Sequence, residues 1–571
     1  MKQYSFDHYY IYSEMTTVLQ ELAAEYPGLI KMHSICTTVD GHEVWATEIT
    51  NYATGGALEK PAYYVDGSHH AGEVTGSMAA IHLIVTLVQG YGKKDNITNL
   101  LDNFTVYVIP RISPDGAEKV LTTPEQLRSV NRPYPFEEWM PGLHPEDLDG
   151  DGVIRMMRVP DPTGVWKAMD KDPRILVKRS PSDFGGTYYH LYPEGIIEGY
   201  DGVHVQPAEG KWNLDFNRNY PLGWFPENRQ PGAGKYPLSN PENKAVVDFV
   251  LSHPNICGGV TYHTSGGCYI YPPGTKPEKQ ADSRDMRMFK EIGAMATEET
   301  GYGCFNIFDA FLTDTVNYSS GAFDDWMYST QGIPTYTAEL WDLAIRAGVP
   351  NVYPRTTPKT DREKAEALSL CYQWIDENAK QNKAVPILGW TPYDHPQLGK
   401  VEIGGPDFKF TWQNCPIGFL EQEVEKNTNF CLRMAAALPR VQIDKMAAEQ
   451  QAQGIYKVTA LVRNAGYLPT FVCNEAKTLG VDDPLTAKLE TAGVLLSGEA
   501  EGKIGHLEGF SGVKALELDS SSYKYGNAKA FHQEEFVKEL TWVVKAPAGT
   551  EVSLTVSGKK CGSKTASITL L

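Results

Sequence analysis

Three side chains in this sequence have the types and spacing to hold a divalent metal. His70 and Glu73 stand three apart in VDGSHHAGEV, and His263 follows far downstream in GGVTYHTSGG. Two imidazoles and one carboxylate suit Zn²⁺ and leave a fourth position open, as in a catalytic rather than a structural site. A His-x-x-Glu pair by itself is a common coincidence, and a histidine after a strand is more often a surface or satisfied buried residue. The weight therefore rests on what converges with it. Glu339, in IPTYTAEL, would aim another carboxylate into the same crevice.

The elements that must position these residues read as follows. A first helix is expected from Ser13 as its cap, with Met15, Val18, Leu19, Leu22 and Ala23 at helical spacing and Pro27-Gly28 as its stop. Short apolar runs then alternate with helical patterns: AYYVD before EVTGSMAAIHLIVTLVQG, FTVYVIPRI, KAVVDFVLSH before CGGVTYH, and IPTYTAEL. That alternation predicts an α/β fold with a mixed central sheet flanked by helices and buried on both faces. His70, Glu73, His263 and Glu339 all fall at or just beyond strand ends, where open α/β sheets carry their ligands. His82, inside the apolar helix, reads as a satisfied core residue.

Residues 120–235 break the rhythm. They are rich in Pro, Gly, Asp and aromatics and read as a long, ordered, loop-rich insertion. From about 445 the pattern becomes alternating strands with Gly-rich turns, the signature of an all-β sandwich. The expected division is a catalytic unit over 1–440 and an accessory β-sandwich over 441–571. A chain of 571 residues is long enough for two such cores.

Bulk properties exclude several classes. The net charge of −19 argues against nucleic acid or an anionic membrane as partner. The apolar run MAAIHLIVTLV is too short to span a bilayer. Nine scattered cysteines without a C-x-x-C pair suit free thiols in a reducing compartment. With no apolar segment near the N-terminus, a cytoplasmic location is the expectation; a signal already removed would make it secreted or periplasmic.

The ordered motifs resemble those of the zinc metallocarboxypeptidases of the carboxypeptidase A type, over roughly residues 5–345. HAGE matches the family's first ligand pair. SPDG at 113–116 matches its N-P-D-G turn with Ser for Asn, and LDFNRNYP its D-x-N-R-N segment. SNPE at 239–242 matches S-E-P-E, YHTSGG the third-ligand strand, and NYSSGAFDDWMY with YTAELWD the tyrosine loop and catalytic-glutamate strand. The appended β-domain makes the chain look more like a bacterial branch than a pancreatic one.

The resemblance implies roles. His70, Glu73 and His263 would bind one zinc, and Glu339 would be the general base. Arg218 and Asn217 would hold the substrate's terminal carboxylate, for which a planar guanidinium fork is suited. Tyr318 would close over the bound residue. The arginine that stabilises the oxyanion is open between Arg128, which is favoured, and Arg132, Arg155 and Arg158. Gly72 stands where animal enzymes usually carry Arg. Asp324 resembles the base of the side-chain pocket, where an acid favours basic terminal residues, against the alternative of a surface Asp paired elsewhere.

Asp147, Asp149 and Asp151 in DLDGDGVIR have calcium-loop spacing. Arg158 at the twelfth position excludes a complete EF-hand, which leaves a looser calcium loop, completed by Asp161, against a plain acidic turn. The expected activity is zinc-dependent removal of the C-terminal residue of peptides with a free carboxylate. The alternatives are a γ-D-glutamyl–diaminopimelate amidase of cell-wall peptides and a metal-stabilised binding protein without catalysis.

Overall fold

The computed structural model describes residues 2–512 and 536–571; the part of the expected sandwich at 513–535 lies outside the described residues. The central sheet has eight strands: β1 (Ile30–Thr37), β2 (Glu43–Ile49), β3 (Ala62–Gly67), β4 (Thr105–Ile109), β5 (Ile256–Thr264), β6 (Cys268–Tyr271), β7 (Gly303–Asn306) and β8 (Thr335–Leu340). Their order is β1-β2-β4-β3-β5-β8-β6-β7. The four middle strands β4, β3, β5 and β8 run parallel, and antiparallel pairs join β1 to β2, β2 to β4 and β6 to β8. The sheet is mixed, as expected.

Parallel strands covered on both faces need apolar side chains on both, and β3 shows the result. Tyr63 and Val65 enter a core on one face, and Ala62 and Tyr64 a second core on the other. The first core is closed by helix α1 (Tyr12–Glu25), the buried α2 (Val74–Gly90), Ser283–Thr300 and Ile417–Ala436; the second by Pro241–Ser252 and Phe323–Gln331.

Two local expectations change. Ser13 lies inside α1 rather than capping it; Ile11 is the N-cap, and the Glu14 carboxylate accepts from its backbone N–H at 2.9 Å. Glu14 reaches back, so the cap moves two residues earlier than the hydroxyl suggests. The 120–235 insertion is not loops alone. Met156–Pro160, Trp166–Ala168, Leu176–Lys178 and Tyr189–Pro193 join the hairpin Leu388–His395/Gly399–Gly405 in a six-stranded antiparallel sheet. His82 behaves as expected: its ring meets Thr428 Oγ1 at 2.7 Å, and burial pulls its pKa down to about 4.

After residue 440 the described chain forms two four-stranded antiparallel sheets that share a core including Val458, Val462, Leu489, Trp542 and Leu554. This unit is not loosely tethered. Leu468, Val472 and Cys473 enter the first core of the central sheet, and Asp285 accepts the backbone N–H groups of Asn474 and Glu475, each at 2.8 Å. All nine cysteines are free. Among the described residues, no single helix is long and apolar enough to cross a membrane.

Candidate metal centre and substrate cavity

The connection from β3 to α2 carries the first two ligands. The chain turns sharply after Gly67, where Ser68 takes φ +55°, and Glu73 then stands at the N-cap of α2. His263 lies on β5 directly across from Glu339 on β8. One cavity of about 280 Å³ is lined by His70, Glu73, His263, Glu339, Arg128 and Arg218 among others. The expected ligands and base therefore meet, although the chain between them is long.

The three ligand groups fit a tetrahedral ion. His70 Nδ1 is 2.8 Å from Glu73 Oε1, His263 Nδ1 is 2.9 Å from Oε2, and the two ring nitrogens are 3.1 Å apart. Zinc with bonds near 2.0–2.1 Å has donor-to-donor edges of about 3.3 Å, close to this triangle. Two imidazole nitrogens and a carboxylate at such range cannot all be mutual hydrogen-bond partners, whereas a cation between them suits all three. His263 Nε2 is buried and has no hydrogen-bond partner among the described residues, so none of these places its ring by an outer hydrogen bond.

Asp215 organises what surrounds the triangle. It opens the D-x-N-R segment but drew no role from the sequence. Its Oδ1 accepts from His70 Nε2 at 3.0 Å and from the Asn217 backbone N–H at 2.9 Å, and its Oδ2 accepts from Arg128 Nε at 2.8 Å. Burial alone would raise its pKa, yet Arg128, Arg218 and His70 hold it well below the usual carboxylate range.

The structure separates the four arginines. Arg128 faces the cavity, with its Nη1 3.6 Å from Glu73 Oε1. Arg132 forms a bidentate pair with Glu242 at 2.6 and 3.0 Å. Arg155 is committed to Asp151 and Gly405 O, and Arg158 to Glu402 between the rings of Tyr189 and Trp390. Backbone contacts explain why Arg128 arrives: its carbonyl accepts the Ala71 N–H at 2.8 Å, beside His70. A Cβ on Gly116 would lie 2.2 Å from Ser129 O, so only glycine lets the SPDG turn approach that segment.

Asn217 and Arg218 line the cavity, and Asn217 Oδ1 accepts the Phe323 N–H at 2.9 Å. Tyr318 does not line it; its ring packs near Phe225 and Phe308, while Ser319 and Ala322 of the same loop form the wall. Asp324 and Asp325 are both buried at the cavity, so Asp324 is not a surface residue. Asp324 accepts from Thr337 Oγ1 at 2.6 Å, and Asp325 from the Gly274 N–H at 3.0 Å. Burial raises both carboxyls, Asp325 to about 7 with the neighbouring Asp324 charge adding to it.

Burial, with the Glu73 charge, pushes the Glu339 carboxyl up to about 8, against the pull of Arg355, His70 and Arg128. Arg355 also lines the cavity and was missed in the sequence, where it lies beyond the matched motifs. Its Nη2 donates to Ser265 O at 3.2 Å and its guanidinium stacks 3.8 Å from the Phe311 ring centroid. Gly72 has a structural reason: a Cβ there would meet Gln413 Nε2 at 2.7 Å. The amide of Gln413 fills the space that a longer side chain at 72 would need.

In the acidic loop, the Asp147, Asp149 and Asp151 oxygens come within 4.8 Å of one another. Asp161 is not with them; it binds Thr163.

Residues 15–366 match the family described as zinc carboxypeptidase, and residues 440–569 match a domain of unknown function. Carboxypeptidase A1 of Mus musculus is 22% identical over 344 residues, 60% of this chain and 65% of that protein's length. Carboxypeptidase D of Anas platyrhynchos is 28% identical over 316 residues, 46% of this chain and 22% of that one. The crystal structure of carboxypeptidase A from Helicoverpa armigera aligns at a TM-score of 0.39 and 17% identity, covering 66% of this chain and 74% of that chain. With its matched span covering well over half its length, the chain belongs to the zinc carboxypeptidase family.

Proposed function

We propose that the protein is a zinc-dependent carboxypeptidase that removes single residues from free peptide C-termini. The observation that carries this is the convergence of His70, Glu73, His263, Arg128, Arg218 and Glu339 on one cavity. A zinc ion held by His70, Glu73 and His263 supplies Lewis acidity and makes water a stronger acid at neutral pH. The remaining work belongs to the chain. Arg218 and Asn217 hold the terminal carboxylate, and Tyr318 closes over the bound residue from its loop. Arg128, kept in place by Asp215, donates to the scissile carbonyl oxygen as negative charge develops there. With the positive charge of a bound zinc favouring its ionised form, Glu339 would accept a proton from the attacking water and return it to the leaving amine.

Asp324 and Asp325 give the side-chain end of the cavity a negative character, and neither has an ion-pair partner among the described residues. That supports a preference for a cationic terminal residue such as Lys or Arg. The same pair would suit the ammonium group of diaminopimelate, which supports wall-peptide γ-D-glutamyl amides as the second reading. A non-catalytic role is disfavoured by Glu339 standing opposite His263. The division near 440 is supported by the separate core of the C-terminal sheets.

The acidic loop supports a hard, oxygen-liganded cation such as calcium at Asp147, Asp149 and Asp151, although Arg155 already pairs with Asp151. A calcium-dependent rise in melting temperature that disappears in Asp149→Asn would support this; an identical response in both proteins would remove it.

The deciding experiment is mass spectrometry of a mixed peptide library, comparing free and amidated C-termini with and without a chelator. Loss of single residues from free termini only, blocked by chelation, is expected. Cleavage of wall fragments but not ordinary peptides would move the assignment to the second reading, and no cleavage of either would remove catalysis.

A further inference from the structure

A second and larger concavity, about 440 Å³, adjoins the metal-centre cavity and shares Arg128 with it as a lining residue. Its volume lies within the range of ligand pockets. Trp139, Trp212, Met156 and Phe408 form its apolar walls. Trp139 is 48% exposed and Phe408 47%, so two large rings face solvent where burial would be favourable. The rings are set in place: Trp139 meets Trp212 edge-on at 6.0 Å and His144 at 4.1 Å, and Phe408 stacks on Trp412. Arg155, which also lines the concavity, has its charge taken up by Asp151 at 2.8 Å.

We propose that this groove binds the peptide segment N-terminal to the scissile bond and selects apolar or aromatic side chains there. The orientation rests on the carboxypeptidase reading. With the terminal carboxylate on Arg218 and the scissile carbonyl at Arg128, the upstream chain leaves past Arg128. The groove begins at that point, and the Arg128 N–H donates to Trp212 O, so its wall is tied to the catalytic arginine. An extended peptide advances about 3.3 Å per residue, so the two to four residues before the scissile bond fall along the indoles and Phe408. The upper wall is built by the 120–235 insertion, which gives that segment a role in substrate choice.

The test is binding rather than turnover, on zinc-loaded Glu339→Gln protein. N-terminally labelled Leu-Trp-Leu-Ala-Lys and Gly-Gly-Gly-Ala-Lys are titrated by fluorescence anisotropy, each with a free and an amidated C-terminus. The apolar peptide should bind about tenfold more tightly than the glycine one. Adding Trp139→Ala or Phe408→Ala should remove most of that advantage while leaving the glycine peptide unchanged. Both side chains are half-exposed, and circular dichroism confirms that the variants are folded. Equal binding of the two peptides, absence of binding, or equal weakening of both by the variants overturns the proposal. An apolar advantage that persists with no difference between free and amidated ends would leave the groove standing and remove the carboxypeptidase reading.

Discussion

His70 donates its Nε2–H to Asp215 Oδ1 at 3.0 Å, and this contact decides which ring nitrogen faces Glu73 and His263. With the proton held on Nε2, the Nδ1 lone pair is free for a metal. The second oxygen of Asp215 holds Arg128, so one carboxylate positions both a candidate ligand and the arginine proposed to face the scissile carbonyl. Asp215→Asn keeps the shape and removes the charge. Zinc affinity, measured by competition with a chromophoric chelator, should fall by about 10–100-fold.

Glu339 does not belong to the ligand triangle. Glu339→Gln should therefore retain one zinc per chain by elemental analysis, while kcat falls by at least about 10²-fold. Loss of zinc along with activity would show that the carboxylate is a ligand rather than a base.

Asp324 lies at the cavity and has no ion-pair partner among the described residues. Asp324→Ala should lower kcat/KM for C-terminal Lys and Arg by about 10–100-fold and raise it for Leu or Phe. A uniform loss across all termini would assign Asp324 to holding Thr337 instead.

Asp325 should make stability pH-dependent. Its carboxyl releases its proton near 3.8 in the unfolded chain and near 7 in the fold, so the folded state binds more protons between those values. The stability linked to this group is complete below the lower value and is lost as pH rises through about 7. Urea unfolding at pH 5.5 and 8.5 should show a loss of about 2 kcal/mol that Asp325→Asn lacks.

Gly72 tests the packing of Gln413 over the ligand loop. Gly72→Arg should destabilise the fold by about 1–3 kcal/mol in thermal or urea melts, because the new side chain enters occupied space. Adding Gln413→Ala should recover most of the loss.

Periodicity in the sequence by itself marks the strand–helix alternation and the β-rich C-terminal unit, and local spacing marks His70 and Glu73 as a candidate ligand pair. Each depends on neighbours within one strand or turn: His70 and Glu73 on a single connection, or the two-residue alternation of Tyr63 and Val65 against Ala62 and Tyr64. Only the tertiary structure shows that Arg128, of the four candidate arginines, lines the metal-centre cavity. Arg128, Arg132, Arg155 and Arg158 are alike in sequence, and only their distant partners Asp215, Glu242, Gly405 and Glu402 separate them. The same holds for Arg355 in the cavity and Gln413 over Gly72. Contacts between residues hundreds of positions apart leave no periodic trace in the chain, because they are set by how the layers pack rather than by any local conformational preference.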